Sequence, residues 1–558
     1  VTADRSSPFL RLAGVLVLIG AAWYLPWMLR VVNVRDLWLS IPYVAASLLL
    51  IASTLLSWVN NWRRSAALPA VGVDVSVMRA SVIVPTCGEP AGMVRATLQS
   101  IVAGSWPHDR LTIAVGDDAS SVAMSDMVEA FAIDHADVEV LYYIPPLRSD
   151  PARRGAAKSG NLNAGLDELR SRGVLGELVE TRDADDLVGD ADFLLRCAEL
   201  LASQPNLAFV QTLKEARVSD GDPFGNQEPL FYRGTMFARQ ASNAVFPCGS
   251  GVVWSARALW DISDFPTWNL VEDLQSGVEA LRRGWDGAYL PIVGAIGQTA
   301  PEDLPNVYKQ RGTWALDTMR LLIWGDLRGL TWRQRMQFYE LGLFYLQSLS
   351  TLVFLLTPII GLSTGIFPLH TDEAQFVLHL WPEAAAVELF LASLNRQAGF
   401  EALWRSRQMW AGLTFVHARA VAQAVRYGPH RKPPYQVTRK QRITGHLLAT
   451  GPPADGGRRR LRAQRPDRRR PRRRPRPPGS RQLLLGGVLR RSPGRVLPTR
   501  LVRVHRPRRP RRRRPGRTTE CGRARDRPAQ RRAPESPRRR RHDEPGPPAG
   551  RSATGARR

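Results

Sequence analysis

Residues 9–29 and 37–59 form two long apolar runs that share a single charge, Arg11. Each is long enough to cross a hydrocarbon core of ~30 Å as a helix, and this constrains the fold more than any other feature of the chain. Joined by the short segment 30–36, they predict a transmembrane hairpin over residues 1–64. A signal peptide would be shorter and followed by a small-residue cleavage site. Trp23, Trp27, Trp38 and Trp58 lie near the ends of the runs, where amphipathic rings favour the membrane interface. Two crossings return the chain to its starting side. Arg63 and Arg64 favour the cytoplasm there, against Arg30 and Arg35 on the opposite side.

Charge marks off the other end. The formal net charge of +28 suggests a nucleic-acid partner until it is located along the chain. Residues 451–558 hold 38 of the 78 Lys and Arg but 7 of the 50 Asp and Glu, which leaves the first 450 residues close to neutral. That stretch has no Lys, Phe, Trp or Tyr and is dominated by Arg, Pro and Gly. GC-rich codons read out of frame produce such a composition, and it buries too little apolar surface to offset the cost of ordering. Residues 451–558 are therefore expected to be a disordered, out-of-frame tail. The alternative is a true polybasic tail for anionic lipid or nucleic acid. No nucleic-acid-binding motif accompanies the charge, so nucleic acid is not expected as a partner. The four cysteines, Cys87, Cys197, Cys248 and Cys521, are far apart and form no CxxC pair, which argues against a zinc site or a disulfide framework.

Between these ends, from about residue 80 to 314, lies a soluble α/β pattern within a domain assigned to residues 65–320. Residues 81–85 (SVIVP), 111–115 (LTIAV) and 138–144 (VEVLYYI) read as buried strands, and Val94, Leu98, Ile101 and Val102 recur at helical spacing. Strands alternating with helices predict a mostly parallel sheet with its ligand site beyond the strands' carboxyl ends. Three polar clusters fall at such ends: residues 85–89 (PTCGE), the pair Asp117-Asp118, and the triplet Asp183-Ala184-Asp185 within ETRDADD. On an extended strand end, residues i and i+2 point the same way. Both acids of the triplet can then face one hard divalent cation and a diphosphate it carries, or the triplet is a solvated turn. Glu180 and Arg182, just before it, are unusual in a strand expected to be buried on both faces.

Taken together, SVIVPTCGEP, AVGDDAS, AAKSGNLNAGL, ETRDADD, FVQT, FPCGSG, VEDLQSG and QRGTW occur in the order and rough spacing of the processive family 2 glycosyltransferases, the bacterial cellulose synthases among them. The chain resembles that family over about residues 10–445. The resemblance implies an α/β, GT-A (Rossmann-like) domain inserted between transmembrane helices. It implies sugar transfer from a UDP-sugar, UDP-glucose first, to a glycan acceptor, with the polymer extruded across the cell membrane. A different hexose polymer, or non-processive transfer to a lipid, stays open beside it.

Carried over residue by residue, the resemblance implies that Thr86, Glu89 and one of Asp117 or Asp118 hold the uridine, since carboxylates accept from base N–H and ribose hydroxyl groups. Lys158 approaches the donor as a point charge, Asp183 contacts it, and Asp185 ligates Mg2+ or Mn2+ against the charge of the departing UDP. Asp273 is the base, because a sugar hydroxyl is a poor nucleophile until a carboxylate takes its proton. Cys248, Gly249 and Ser250 touch the acceptor terminus, with no nucleophilic role for the thiol. The family's QxxRW reads here Gln310-Arg311-Gly312-Thr313-Trp314, with Thr313 in place of the arginine. Trp314 stacks on the acceptor, and Gln310 and Arg311 fall to the donor diphosphate. Plainer readings stand beside these: a turn cap for Asp117-Asp118, a surface lysine, an exposed helix start at 272–273.

Residues 321–450 read as a return to the membrane. Residues 330–339 mix basic and aromatic residues as an interfacial helix does, 341–361 are apolar enough to span, and 376–394 form a weaker span interrupted by Glu383 and Glu388. Residues 402–427 are basic and amphipathic. Tyr435, Val437, Thr438 and Lys440 resemble the family's FxVTxK gating loop, with Tyr for Phe. The resemblance allows accessory synthase subunits as partners and places the chain in the inner or plasma membrane, multi-pass, with its catalytic domain in the cytosol.

Overall fold

The computed structural model describes residues 2–70, 72–216, 228–269, 272–299, 303–396 and 399–431. Val271, the gating-loop match at Tyr435, Val437, Thr438 and Lys440, Cys521 and the whole tail from residue 451 lie outside the described residues.

The two apolar runs are helices α1 (Pro8–Arg30) and α2 (Leu37–Asn60), the first opened by Pro8 and by Ser7 Oγ accepting from the amide of Leu10. A short strand pair, β1 (Thr2–Asp4) and β2 (Ser65–Ala67), brackets them. The α/β region follows as β3 (Ala80–Thr86), α3 (Ala91–Val102), β4 (Leu111–Asp117), α4 (Val122–Asp134), β5 (Glu139–Tyr143), α5 (Ala157–Ser171), β6 (Leu178–Thr181), β7 (Asp186–Val188), α6 (Phe193–Ser203) and β8 (Leu207–Ala216). It continues as α7 (Glu228–Gly234), α8 (Met236–Ala241), β9 (Val252–Ser255), α9 (Ala256–Asp261), α10 (Glu272–Arg282), β10 (Asp286–Gly297) and α11 (Leu304–Trp324). Helices α12 (Trp332–Thr364), α13 (Glu373–Leu394) and α14 (Gly399–Tyr427) follow among the described residues.

Among the described residues, eight strands form one sheet in the order β5-β4-β3-β6-β9-β8-β10-β7. Its first four strands are parallel, as expected, but β9 runs antiparallel to both β6 and β8, and β7 antiparallel to β10. Strands β8 and β10 are parallel to each other and run with the first four, so the sheet is mostly parallel, with β9 and β7 the two reversed strands. Alternation along β3 feeds two cores. Val82 and Val84 pack with α3, α4 and α6 on one face, Ile83 with α5 on the other.

Four helices among the described residues, α1, α2, α12 and α13, are long and apolar enough to cross a membrane. The interfacial stretch and the following span form one continuous helix, α12. Its start is fixed by a capping box between Thr331 and Gln334, and no Gly or Pro pair breaks it before Pro358. In α13, Glu383 is buried against Gly20 of α1, and Glu388 is paired with Arg407 of α14.

Candidate active site

Strand register assembles the first part of the site. Thr86 and Asp117 are paired residues at the ends of β3 and β4, so the Thr86 hydroxyl donates to Asp117 Oδ1 at 3.2 Å. The Asp117 carboxylate also accepts from the amides of Ala119 (2.9 Å) and Ser121 (2.7 Å) and from the Tyr142 hydroxyl (3.2 Å). It is fully buried and organises the turn above the strands. Asp118 is gripped by both terminal nitrogens of Arg153, at 2.6 and 3.1 Å. Glu89 accepts from the Cys87 amide at 2.5 Å and so holds the loop after β3.

The second part centres on Lys158 in the first turn of α5. Its ammonium donates to Asp183 Oδ1 at 2.5 Å and to the Gly249 carbonyl at 2.7 Å, and lies 3.8 Å from Glu272 Oε1. Burial works against its charge, but Asp183 and Glu272 outweigh that and hold its pKa above the usual lysine range. Gly249 has φ of 81°, and a Cβ there would come within 3.0 Å of Asp273 Oδ2 and 3.1 Å of the lysine nitrogen. Only glycine lets the loop after α8 approach this closely. Its neighbour Ser250 accepts from the Asp183 amide at 3.2 Å, and the Cys248 amide donates to Gln211 Oε1 at 2.7 Å. The Cys248 thiol is pushed up by burial and then by Asp273.

At the start of α10 stand Glu272 and Asp273. Burial raises Asp273 to about 6 and Glu272 to about 7, with Lys158 pulling both back down. Lys158, Asp183, Gly249, Glu272 and Asp273, drawn from four separate stretches of chain, therefore form one cluster.

The acid triplet differs from its extended-strand expectation. Asp183-Ala184-Asp185 lies in the turn between β6 and β7, closed by the Asp186 amide donating to the Asp183 carbonyl at 2.9 Å. A turn replaces the strand end because β7 doubles back to pair with β10. Asp183 and Asp185 supply carboxylate oxygens, the donor type Mg2+ and Mn2+ take. No cluster of three or more His, Cys, Asp or Glu suited to a metal occurs among the described residues. One or two carboxylates with substrate phosphates completing the shell is the usual Mg2+ arrangement, so the residues fit such an ion.

One participant was not anticipated. Lys214 of β8 pairs with Asp186 at 2.7 Å and with Asp183 at 3.2 Å. Its signal was a lone lysine in the apolar strand run FVQTL, where a buried cation requires a counter-charge. Gln310, Arg311 and Trp314 lie on α11. Arg311 sits 4.6 Å over the Trp314 ring and beside His417 of α14 and Tyr345 of α12.

A family model described as glycosyltransferase like family 2 matches residues 79–316. Cellulose synthase 2 of Novacetimonas hansenii is 27% identical over 402 residues, 69% of this chain and 23% of that protein. The UDP-forming cellulose synthase catalytic subunit of Pseudomonas fluorescens (strain SBW25) is 27% identical over 314 residues, 54% of this chain and 40% of that protein. The chain thus spans less than half the length of these relatives. Among solved structures, a mannosyltransferase from Pyrobaculum calidifontis in complex with GDP-Man and Mn2+ aligns with 69% of this chain and 99% of that one at 19% identity and a TM-score of 0.49. The matched region contains the whole sheet and both parts of the site, and over it this chain resembles the glycosyltransferases of family 2 and the catalytic subunits of cellulose synthases.

Proposed function

We propose that the chain is a membrane-embedded, inverting glycosyltransferase that polymerises sugar from a UDP-sugar, UDP-glucose first, into a β-glycan such as cellulose, and passes it across the cell membrane from a cytosolic catalytic domain. The observation that carries this reading is the meeting of Lys158, Asp183 and Asp273 around Gly249, because it sets a donor cation beside a poised carboxylate. Thr86, Glu89 and Asp117 or Asp118 hold the nucleotide. Asp183 contacts the donor, and Asp185 would hold Mg2+ or Mn2+, which when bound supplies charge neutralisation for the leaving diphosphate. Lys158 fixes the donor's charge close to Asp183. Asp273 takes the proton of the acceptor hydroxyl as that oxygen attacks, and the UDP leaves from the opposite side. Gly249 and Ser250 border the acceptor end, and Trp314 offers a ring for sugar stacking.

Membranes containing the protein are incubated with radiolabelled UDP-sugars and a divalent cation. Incorporation into polymer that disappears in Asp273→Asn is expected; no incorporation from any UDP-hexose would overturn the reading. Thr313 favours a second reading, short products or single transfers, because the position lacks the guanidinium of QxxRW. Sizing the labelled product separates the two.

A further inference from the structure

The two charged residues that precede the acid turn are both inside the protein: Glu180 is 1% and Arg182 0% exposed. Their carboxylate and guanidinium are paired with each other, and the guanidinium lies 5.3 Å over the Phe193 ring. A buried pair is costly to desolvate, and apolar residues of similar volume usually serve stability as well or better. What the pair does locally is specific. Arg182 Nη1 donates to the Leu187 carbonyl and Nη2 to the Gly294 carbonyl, each at 3.0 Å.

These two acceptors matter because of where they lie. Leu187 stands just beyond the acid turn, so the first bond closes the base of a loop that carries Asp183 and Asp185 at its tip. Gly294 falls at a register shift of β10, between Val293, opposite Leu213, and Ala295, opposite Lys214. It is the extra residue of a β-bulge, whose buried carbonyl needs a partner from outside the ladder. The bulge also aims the end of β10 at β7 and at Asp185, whose carbonyl accepts from the Gln298 amide at 2.7 Å. A planar guanidinium can hold both carbonyls and the Glu180 carboxylate together, which a lysine cannot.

We propose that Arg182, neutralised by Glu180, is a positioning residue for donor and metal binding: it staples the turn bearing Asp183 and Asp185 to the bulged end of β10. This rests on the reading of those two acids as the donor-side carboxylates. Other ties hold the turn from outside, including the Thr97 hydroxyl on the Ala184 carbonyl at 2.8 Å, so loss of the staple loosens the acids without removing them.

The test is the double variant Glu180→Leu/Arg182→Met, whose apolar pair is expected to keep the fold. Amide exchange across residues 184–188 should speed up by roughly tenfold or more, and Mn2+ binding in the presence of UDP, followed by its electron paramagnetic resonance signal, should weaken ~10–100-fold, the usual effect of removing an outer-shell partner. Arg182→Lys, which retains one donor direction, should fall between. Wild-type exchange and wild-type Mn2+ affinity in the double variant overturn the inference. If the double variant does not fold, Arg182→Lys decides: an unchanged Mn2+ affinity in that folded protein overturns it. Failure of the underlying reading looks different, since Asp185→Ala would then leave Mn2+ binding untouched while the exchange readout still reports on the staple.

Discussion

The turn at Asp183–Asp186 and the start of α10 at Glu272–Asp273 reach the same ammonium, that of Lys158, through Asp183 and Glu272, and they are built differently. In the turn, Asp183 touches two lysines, at 2.5 and 3.2 Å, and remains partly open to water. At α10 the carboxylates meet one lysine, 3.8 Å from Glu272; Glu272 is buried and Asp273 half-buried. Nearness to a cation does not by itself decide the outcome. Asp186 has Lys214 at 2.7 Å and is still pushed up, because burial is the larger effect. The lesson is that residues of one type are set apart by their surroundings: Asp183 lies against two lysines, where the charge of a diphosphate could be shared, while Asp273, raised to about 6 by burial with Lys158 pulling it back down, suits proton removal close to neutrality.

The sharpest way to break this contrast is Asp273→Asn. Turnover should fall by roughly 10²–10⁴-fold or more, while UDP binding, proposed to rest on Thr86, Glu89 and Asp117 or Asp118, is retained. Initial rates and UDP titrations on the same preparation check it, and near-normal turnover would remove Asp273 from its role. Next in size, Asp185→Ala should abolish the stimulation by Mg2+ or Mn2+ without shifting the pH profile; a cation titration reads this, and a variant that responds normally to the cation places the metal elsewhere.

The pH profile itself comes third. Asp273 must be charged to accept a proton, so kcat/KM should rise as pH increases through about 6 and be lost below it. Stability should move the other way. With folded values raised to about 6 and 7 above the ordinary carboxylate range, the native state binds more protons than the unfolded chain across roughly pH 4–7, and stability falls as pH rises through that window. Thermal midpoints of wild type and Asp273→Asn as a function of pH test the sign; a wild-type midpoint that climbs across this window relative to the variant contradicts it.

Much of this was legible in the chain. Short runs such as SVIVP and LTIAV carry their own strand signal, and Val94, Leu98, Ile101 and Val102 are the buried residues of α3, together with Thr97. The polar clusters at strand ends put Thr86, Asp117 and Asp183 at one edge, and the family resemblance added Lys158. Three things were hidden. The reversal of β9 depends on long-range pairing that no local pattern encodes. The turn geometry of Asp183-Ala184-Asp185 depends on β7 finding β10, and the company of Lys214 on a strand register 31 residues away from Asp183. Glu180 and Arg182 were visible as a conflict between charge and burial, and only the bulge at Gly294 shows what resolves it.

The smallest expected effect concerns α11, which sits outside the contrast and can sharpen it. Arg311 and Trp314 are three residues apart and share a face, where the guanidinium lies over the ring beside His417 and Tyr345. Position 313 is two residues on from Arg311, ~200° around the helix, so Arg311 points away from whatever position 313 faces. The Thr313 hydroxyl is spent within the helix, donating to the Lys309 carbonyl at 2.9 Å. Thr313→Arg should therefore add a bidentate group that nothing on the Arg311 face already supplies, lengthening products or raising the rate severalfold, with the pH dependence set by Asp273 unchanged. Product sizing by gel filtration is the check. An unchanged distribution would mean that another group already fills the role or that transfer here is not processive, and a shifted pH profile would tie α11 to the base rather than to the diphosphate.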